Sequence, residues 1–288
     1  MSHIDERVAA LRTLLEKHDL DAWIINGTDP HQSEYVCTRY RTRQWISSFT
    51  GSAGTVVITK DAALLWVDSR YFIQAQQQIA GSEFVMMKVD TPSYPDPYDY
   101  LKEQLSEGSR VGIDSATLTV SAKASMEAAF AGKLEVVPRS DLLDAIWLDR
   151  PAVPSNKVVS VPNDIAGFSA IQKLTMVRLA MARKGCDYTV VSSLDDIAWI
   201  TNLRGSDISY NPVFLSYLVV GRQQAWLFTN PDRFDAETKS LVSSDFEILD
   251  YEAVVSTLSN LFKADDVIYY NPDKTNLLLF ETFRANKT

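Results

Sequence analysis

Four side chains in this sequence stand where polar chemistry would be useful: Arg70, Arg204, Asp207 and Asn211. Arg70 follows an apolar run at 64–67 and Asp68, in the first turn of a predicted helix. Ser69 is expected to cap that helix, Phe72, Ala75 and Ile79 to give its buried face, and Gly81 to end it. A cation in the first turn faces the positive end of the helix dipole, so helix stability does not account for Arg70. Its planar guanidinium could hold a peptide carbonyl or a terminal carboxylate in a fork geometry that Lys cannot reproduce. A surface ion pair with Asp68, worth about 0–1 kcal/mol, competes with that reading. Arg204, Asp207 and Asn211 lie in LRGSDISYNP at 203–212, which sets polar groups in an apolar neighbourhood ahead of a strand. Such a segment is either buried and internally hydrogen-bonded, or lines a domain interface or a site.

Other candidates have simpler readings. Gly51-Ser-Ala-Gly54 lacks both the Gly-Lys-Ser/Thr ending and the strand-to-helix setting of a phosphate loop, and reads as a structural turn. His3, His18 and His31 have no second His or Cys at ligand spacing, so no metal or other cofactor is expected in this chain. Asp195 and Asp196 follow Ser193 at the start of a helical pattern, where capping and the helix dipole explain adjacent carboxylates. No Ser/His/Asp or Cys/His set stands out, so no catalytic residue is assigned. A net charge of −9 opposes the phosphate backbone, and no basic patch overrides it, which excludes nucleic acid as a partner. The amphipathic N-terminus and the lack of a long apolar run point to a cytoplasmic protein without membrane association. Cys37 and Cys186, in different predicted domains and without CxxC spacing, fit a reducing compartment.

The elements that position these residues follow from periodicity. Two α/β domains are expected, 1–150 and 151–288, because helices alternate with strands around a hairpin at 56–67 and a proline-broken linker at 149–167 divides the chain. In the first domain, Ser2 and Asp5 begin a helix whose buried face is Ile4, Val8, Leu11 and Leu15. Strands are predicted at 22–25, 84–89, 111–113 and 134–137, helices at 97–105, 121–130 and 141–147, and a long connection at 26–43. In the second, Ser169 with Gln172 caps a helix lined by Ile171, Leu174, Val177 and Met181 and stopped by Gly185. Helices near 235–242, 254–262 and 276–284 alternate with strands at 246–249 and 267–270. CDYTVVS at 186 echoes LDAWIIN at 20, WITNLRGS at 199 echoes WISSFTGS at 45, and YLVVGRQQAWLFTN at 217 echoes TVVITKDAALLWVD at 55. Three echoes in one order indicate duplication of one α/β unit, each with a mixed sheet flanked by helices.

HQSEY at 31, FTGSAGT at 49, RYF at 70, IWLDRP at 146 and LDDIAWITNLRGSDISYNPVFLSY at 194 resemble the two N-terminal domains of eukaryotic, cytosolic-type aminopeptidase P. The similarity spans nearly the whole chain. It implies two creatinase N-terminal-like domains, the second with an uncertain C-terminal edge. A third domain, of pita-bread fold, follows in that family and holds two divalent ions, usually manganese, on Asp, His and Glu ligands. The chain ends at Thr288 before any counterpart of those ligands, so on the resemblance it is the non-catalytic part of such an enzyme and inactive alone. The resemblance further implies partners: peptides with proline at the second position, the C-terminal catalytic domain, and a second copy in a homodimer. It places a peptide-contacting Arg at Arg70, with Ser69 where the family motif Asp-Gly-Arg-Tyr-Phe has Gly. A stand-alone protein or peptide interaction module is the alternative function.

Overall fold

In each half an aspartate stands just ahead of the strand that joins an antiparallel hairpin to a parallel neighbour, and it bonds to both. In the computed structural model, which describes residues 2–284, Asp21 immediately precedes β1 (Ala22–Ile25). Its carboxylate accepts the backbone N–H of Arg110 at 2.8 Å and the ammonium of Lys60 at 2.7 Å. Arg110 opens β5 (Arg110–Asp114), parallel to β1, while Lys60 sits in the hairpin turn between β2 (Thr55–Thr59) and β3 (Ala63–Val67). Burial works against ionisation of Asp21, but the Lys60 and Arg110 contacts outweigh it and hold the carboxyl below its usual range.

The rest of the first unit forms around that strand. Ser2 and Asp5 exchange the two hydrogen bonds of a capping box at the start of α1 (His3–Lys17), which buries Val8, Leu11 and Leu15. The connection after β1 contains a short helix, α2 (Thr42–Ser47), that periodicity does not announce because it is under two turns long. Then come α3 (Phe72–Gln78), β4 (Val85–Lys88) and α4 (Pro97–Gln104) ahead of β5, with α5 (Val120–Phe130) and β6 (Glu135–Arg139) after it. The sheet order is β4-β3-β2-β1-β5-β6, antiparallel from β3 to β1 and parallel elsewhere. Pro138 is tolerated because β6 is an edge. The helix expected at 141–147 is only a 3₁₀ turn, Leu142–Ala145, capped by Asp141.

The second unit repeats the plan. It contains β7 (Val159–Ser160), α6 (Asn163–Ala166), α7 (Ala170–Lys184), β8 (Tyr188–Val191), α8 (Leu194–Thr201), β9 (Leu203–Arg204), β10 (Tyr217–Gly221) and β11 (Ala225–Phe228). Next are α9 (Ala236–Ser243), β12 (Glu247–Leu249), α10 (Val254–Leu261), β13 (Ile268–Tyr270) and α11 (Leu277–Arg284). The echoed segments land on equivalent elements, β1 with β8, β2 with β10, β3 with β11, and Trp45 and Trp199 on α2 and α8. The aspartate clip is duplicated as well. Asp187 accepts the N–H of Val267 at 2.8 Å ahead of β13, and Arg222 of the β10–β11 turn at 2.7 Å. The sheet order β12-β11-β10-β8-β13 matches the first, except that the described residues hold no counterpart of β6.

Several expectations change on contact with the fold. Residues 30–37, placed by sequence in the first domain, group with 153–288, so Cys37 lies in the same unit as Cys186; both are buried free thiols. The 149–167 linker is not featureless, since β7 pairs with β9 and α6 follows. Ser69 caps nothing: Asp68 accepts the Arg70 N–H and starts a 3₁₀ turn, Ser69–Tyr71, that leads into α3. On α7, Ile171 is 47% exposed, whereas Lys173, on the face periodicity calls polar, is 2% exposed. Lys173 is satisfied there by the carbonyl of Trp199 and the amide oxygen of Asn202.

Asp114, Asp141 and Asp144 gather beyond the ends of β5 and β6 around Arg150, which bonds Asp141 and Asp144 at 2.7 Å each. Desolvation, helped by the charge of Asp141, pushes the Asp114 carboxyl up to about 7. A carboxyl raised in the folded state favours folding while protonated, and that contribution is lost as pH rises towards the folded value. The urea midpoint is therefore expected to be lower at pH 8 than at pH 5.5, and Asp114→Asn should flatten that dependence; an unchanged slope in the variant would remove Asp114 as the cause.

Candidate functional site

In the first unit, Arg70 forms the ion pair that competes with its ligand-binding reading. Nε and Nη2 donate to the two Asp68 oxygens at 2.9 and 2.8 Å, and the guanidinium lies 5.2 Å from the Tyr71 ring centroid. The Arg70 side chain is 66% exposed, so the pair itself stabilises little. Its effect is orientation, fixing the plane of a guanidinium that stays in water. Beside it, Tyr71 and Ser52 share a hydroxyl hydrogen bond of 2.7 Å, which ties the turn at 51–54 to α3. That turn is structural. Buried Arg43 donates to Gly54 O at 2.7 Å and also to Gly51 O. Desolvation brings the Arg43 guanidinium down to about 10. Gly27, at φ +68°, is required because a Cβ there would lie 2.5 Å from Arg43 Nη1.

The second unit holds a cleft of about 690 Å³. One wall is the segment 30–37. His31, 1% exposed, is 2.9 Å from Ser192 O through Nδ1. A carbonyl only accepts, so Nδ1 carries a proton, and Nε2 pairs with the Tyr251 hydroxyl, also at 2.9 Å. The imidazole lies 4.5 Å from Tyr217, which stacks on Tyr251 at 5.2 Å. Asn276 donates to Pro30 O at 2.9 Å and to the Tyr217 hydroxyl at 3.2 Å, and Lys274 reaches Gln32 O at 3.4 Å. Exposed Glu34 and Tyr35 are thereby presented to the cleft opposite Asp195 and Ser209 to Asn211.

The three candidates of the 203–212 segment separate. Arg204 closes the end of α8, donating to Ala198 O at 2.6 Å and Leu203 O at 2.8 Å. The Asp207 carboxylate takes both oxygens to Arg233 Nη2, at 2.5 and 2.7 Å, and also accepts Leu215 N–H at 2.8 Å. Arg233 further bonds Asn156 O and Thr229 Oγ1, each at 3.0 Å. Only Asn211 of the three lines the cleft. Most bonds of this segment thus reach outside it, while within it Ile208 and Asn211 bridge a turn that carries Tyr210 at φ +63°. Asp195 and Asp196 do occupy the first turn of α8, but Ser193 makes no side-chain cap bond. His31 has no short-range signal of this role, since Tyr251 and Tyr217 lie about two hundred residues away in sequence.

Among the described residues no group of three or more His, Cys, Asp or Glu is placed to hold a metal ion. No described helix is long and apolar enough to cross a membrane.

Residues 7–146 and 149–288 each match the creatinase/prolidase N-terminal domain. The chain belongs to the creatinase/prolidase N-terminal domain family. Each unit is thus a creatinase N-terminal domain, an α/β fold with a mixed sheet and flanking helices, as the echoed segments implied. The pair of creatinase N-terminal domains is 34% identical to aminopeptidase P2 of Arabidopsis thaliana over 98% of this chain and 41% of that protein. It is 37% identical to Xaa-Pro aminopeptidase 1 of Dictyostelium discoideum over 93% of this chain and 44% of that protein. The X-prolyl aminopeptidase of Caenorhabditis elegans, described as a cytosolic enzyme with a di-nuclear active site, superposes with a TM-score of 0.92 at 31% identity. That match covers all of this chain and 50% of the other. The two creatinase N-terminal domains therefore span about two-fifths of the length of the curated relatives they match. Among the described residues they present no ligand set of the kind a di-nuclear centre needs.

Breaking a buried charge pair strands the partner. Asp207→Ala is expected to destabilise the second creatinase N-terminal domain by about 3–5 kcal/mol, read from urea unfolding; a loss below about 1 kcal/mol would mean that Arg233 finds other acceptors at little cost.

Proposed function

We propose that these two units act as the non-catalytic N-terminal region of a metal-dependent Xaa-Pro aminopeptidase, the class of enzyme that removes the residue preceding proline. The observation that carries the reading is the match to the X-prolyl aminopeptidase of Caenorhabditis elegans through both units at once. The units select substrate length and contribute to a homodimer, while a catalytic domain supplies the metals, two divalent ions such as manganese. Arg70 is the substrate-facing group: its guanidinium plane is set by Asp68, and it contacts peptides bearing proline at the second position. A cytoplasmic location accords with two buried free thiols. The second reading, a stand-alone module that binds protein or peptide, is favoured by the polar cleft beside His31, which this chain forms with its own residues.

The purified 288-residue chain is expected to cleave no Xaa-Pro peptide with manganese added; chelator-sensitive hydrolysis by pure material would refute this. In an enzyme joining these units to a catalytic domain, Arg70→Ala should lower kcat/KM at unchanged metal content and Tm. The loss should grow with peptide length if Arg70 contacts residues beyond proline, and be greatest for the shortest peptides if it holds the terminal carboxylate. Equal kcat/KM across the length series would leave the ion pair alone.

A further inference from the structure

A second crevice in the second unit, about 410 Å³, lies at the carboxyl ends of two neighbouring parallel strands. β8 and β13 are parallel, and the chain leaves them towards opposite faces of the sheet. After β8 it enters α8, whose Ile197 and Ile200 pack with Leu174 and Met181 of α7. After β13 it enters α11, whose Leu279 and Phe283 pack with Val190 and Leu258 on the other side. Such a divergence opens a gap between strand ends, which is where open α/β sheets take ligands.

What lines the gap is unusual for a merely structural crevice. Ser192, 3% exposed, and Thr275, 1% exposed, both line it, and the hydroxyl oxygen of each is buried without a hydrogen-bond partner among the described residues. A buried unmade hydrogen bond is costly, so a polar ligand that satisfies both hydroxyls would gain by it. The first turn of α8 opens onto the same crevice, and Ser193 leaves its N–H groups without a side-chain cap. Lys274 adds an ammonium at the rim, where it reaches Gln32 O at 3.4 Å, and the Asn271 side chain lies alongside. Two hydroxyl donors, a helix N-terminus and a cation suit an oxyanion. Asp196, also at the rim, disfavours a dianion.

We propose that this crevice binds the carboxylate group of a small ligand through Ser192, Thr275, Lys274 and the α8 N-terminus. The proposal does not depend on the aminopeptidase reading, because it uses only residues of the second unit and a ligand class that many small molecules share.

The test is titration of the ¹⁵N-labelled 288-residue chain with acetate and, separately, with inorganic phosphate, following the amides of residues 193–196. Acetate should produce saturable shifts there. A Ser192→Ala/Thr275→Val double variant should bind at least about tenfold more weakly, with its fold checked by circular dichroism. If the double variant does not fold, the rim variant Lys274→Gln decides, with an expected weakening of about threefold or more. Shifts that stay linear in acetate, an affinity unchanged in the folded variants, or tighter binding of phosphate than of acetate would overturn the assignment. Unchanged peptide kinetics in an enzyme carrying these units would bear on the aminopeptidase reading and leave this result standing.

Discussion

Each sheet depends on one carboxylate placed just ahead of the strand that joins its antiparallel hairpin to a parallel neighbour. A parallel strand pair has no hairpin to set its register, since its partners are joined through distant connections. Asp21 and Asp187 supply the missing constraint by accepting the first N–H of the neighbouring parallel segment, and each also holds a cation from the adjoining hairpin turn. One side chain thereby couples a local hairpin to a strand some eighty or ninety residues away. A one-residue slip of β1 would send Trp23 to the opposite face and expose the cluster that it shares with Leu15, Ile58 and Val137. The charge-assisted bond, worth about 1.5–3 kcal/mol where it is shielded from water, matters most for choosing among registers.

With the sheets fixed, polar residues in the interior divide into those consumed by the fold and those left facing a cavity. Arg43, Asp207, Arg233 and Lys173 are consumed, since each has partners that hold a turn, a loop or a helix end in place. In each case a buried charge is tolerated because several acceptors or donors surround it, and removing one would leave the others unpaired. Ser192 and Thr275 belong to the other group, as does Asn211 on the larger cleft. The distinction lies in hydrogen bonding, because both groups include residues that are almost fully buried.

The segment 30–37 shows how a connection rather than an element can build the wall of a cleft. It has no regular structure until Thr38, yet His31 is among the most buried polar residues of the second unit. Its imidazole joins a carbonyl to a phenol and rests against aromatic rings, which satisfies both nitrogens. The result is a wall for a cleft whose exposed lining includes Glu34 and Tyr35.

The two-unit architecture, the hairpins, the long capped helices and the duplication are all legible in the amino-acid order. Capping boxes, β-branched runs and ordered echoes are local signals, and their physics is complete within a few residues. The amino-acid order also singles out Arg70 and the 203–212 segment as polar positions. Three outcomes emerge from the folded chain alone: residues 30–37 group with the second unit, Asp68 rather than Ser69 starts the turn at Arg70, and Lys173 rather than Ile171 is buried. The fold likewise decides that Asp207 serves Arg233 while Asn211 meets a cleft. Except for Asp68, whose partner is Arg70 two residues on, these outcomes turn on partners distant in the chain, such as Tyr251 for His31 and Asn202 for Lys173. A side chain's hydrogen-bond inventory is written in the sequence, but which groups satisfy it is settled only when distant strands and loops are brought within about 3 Å.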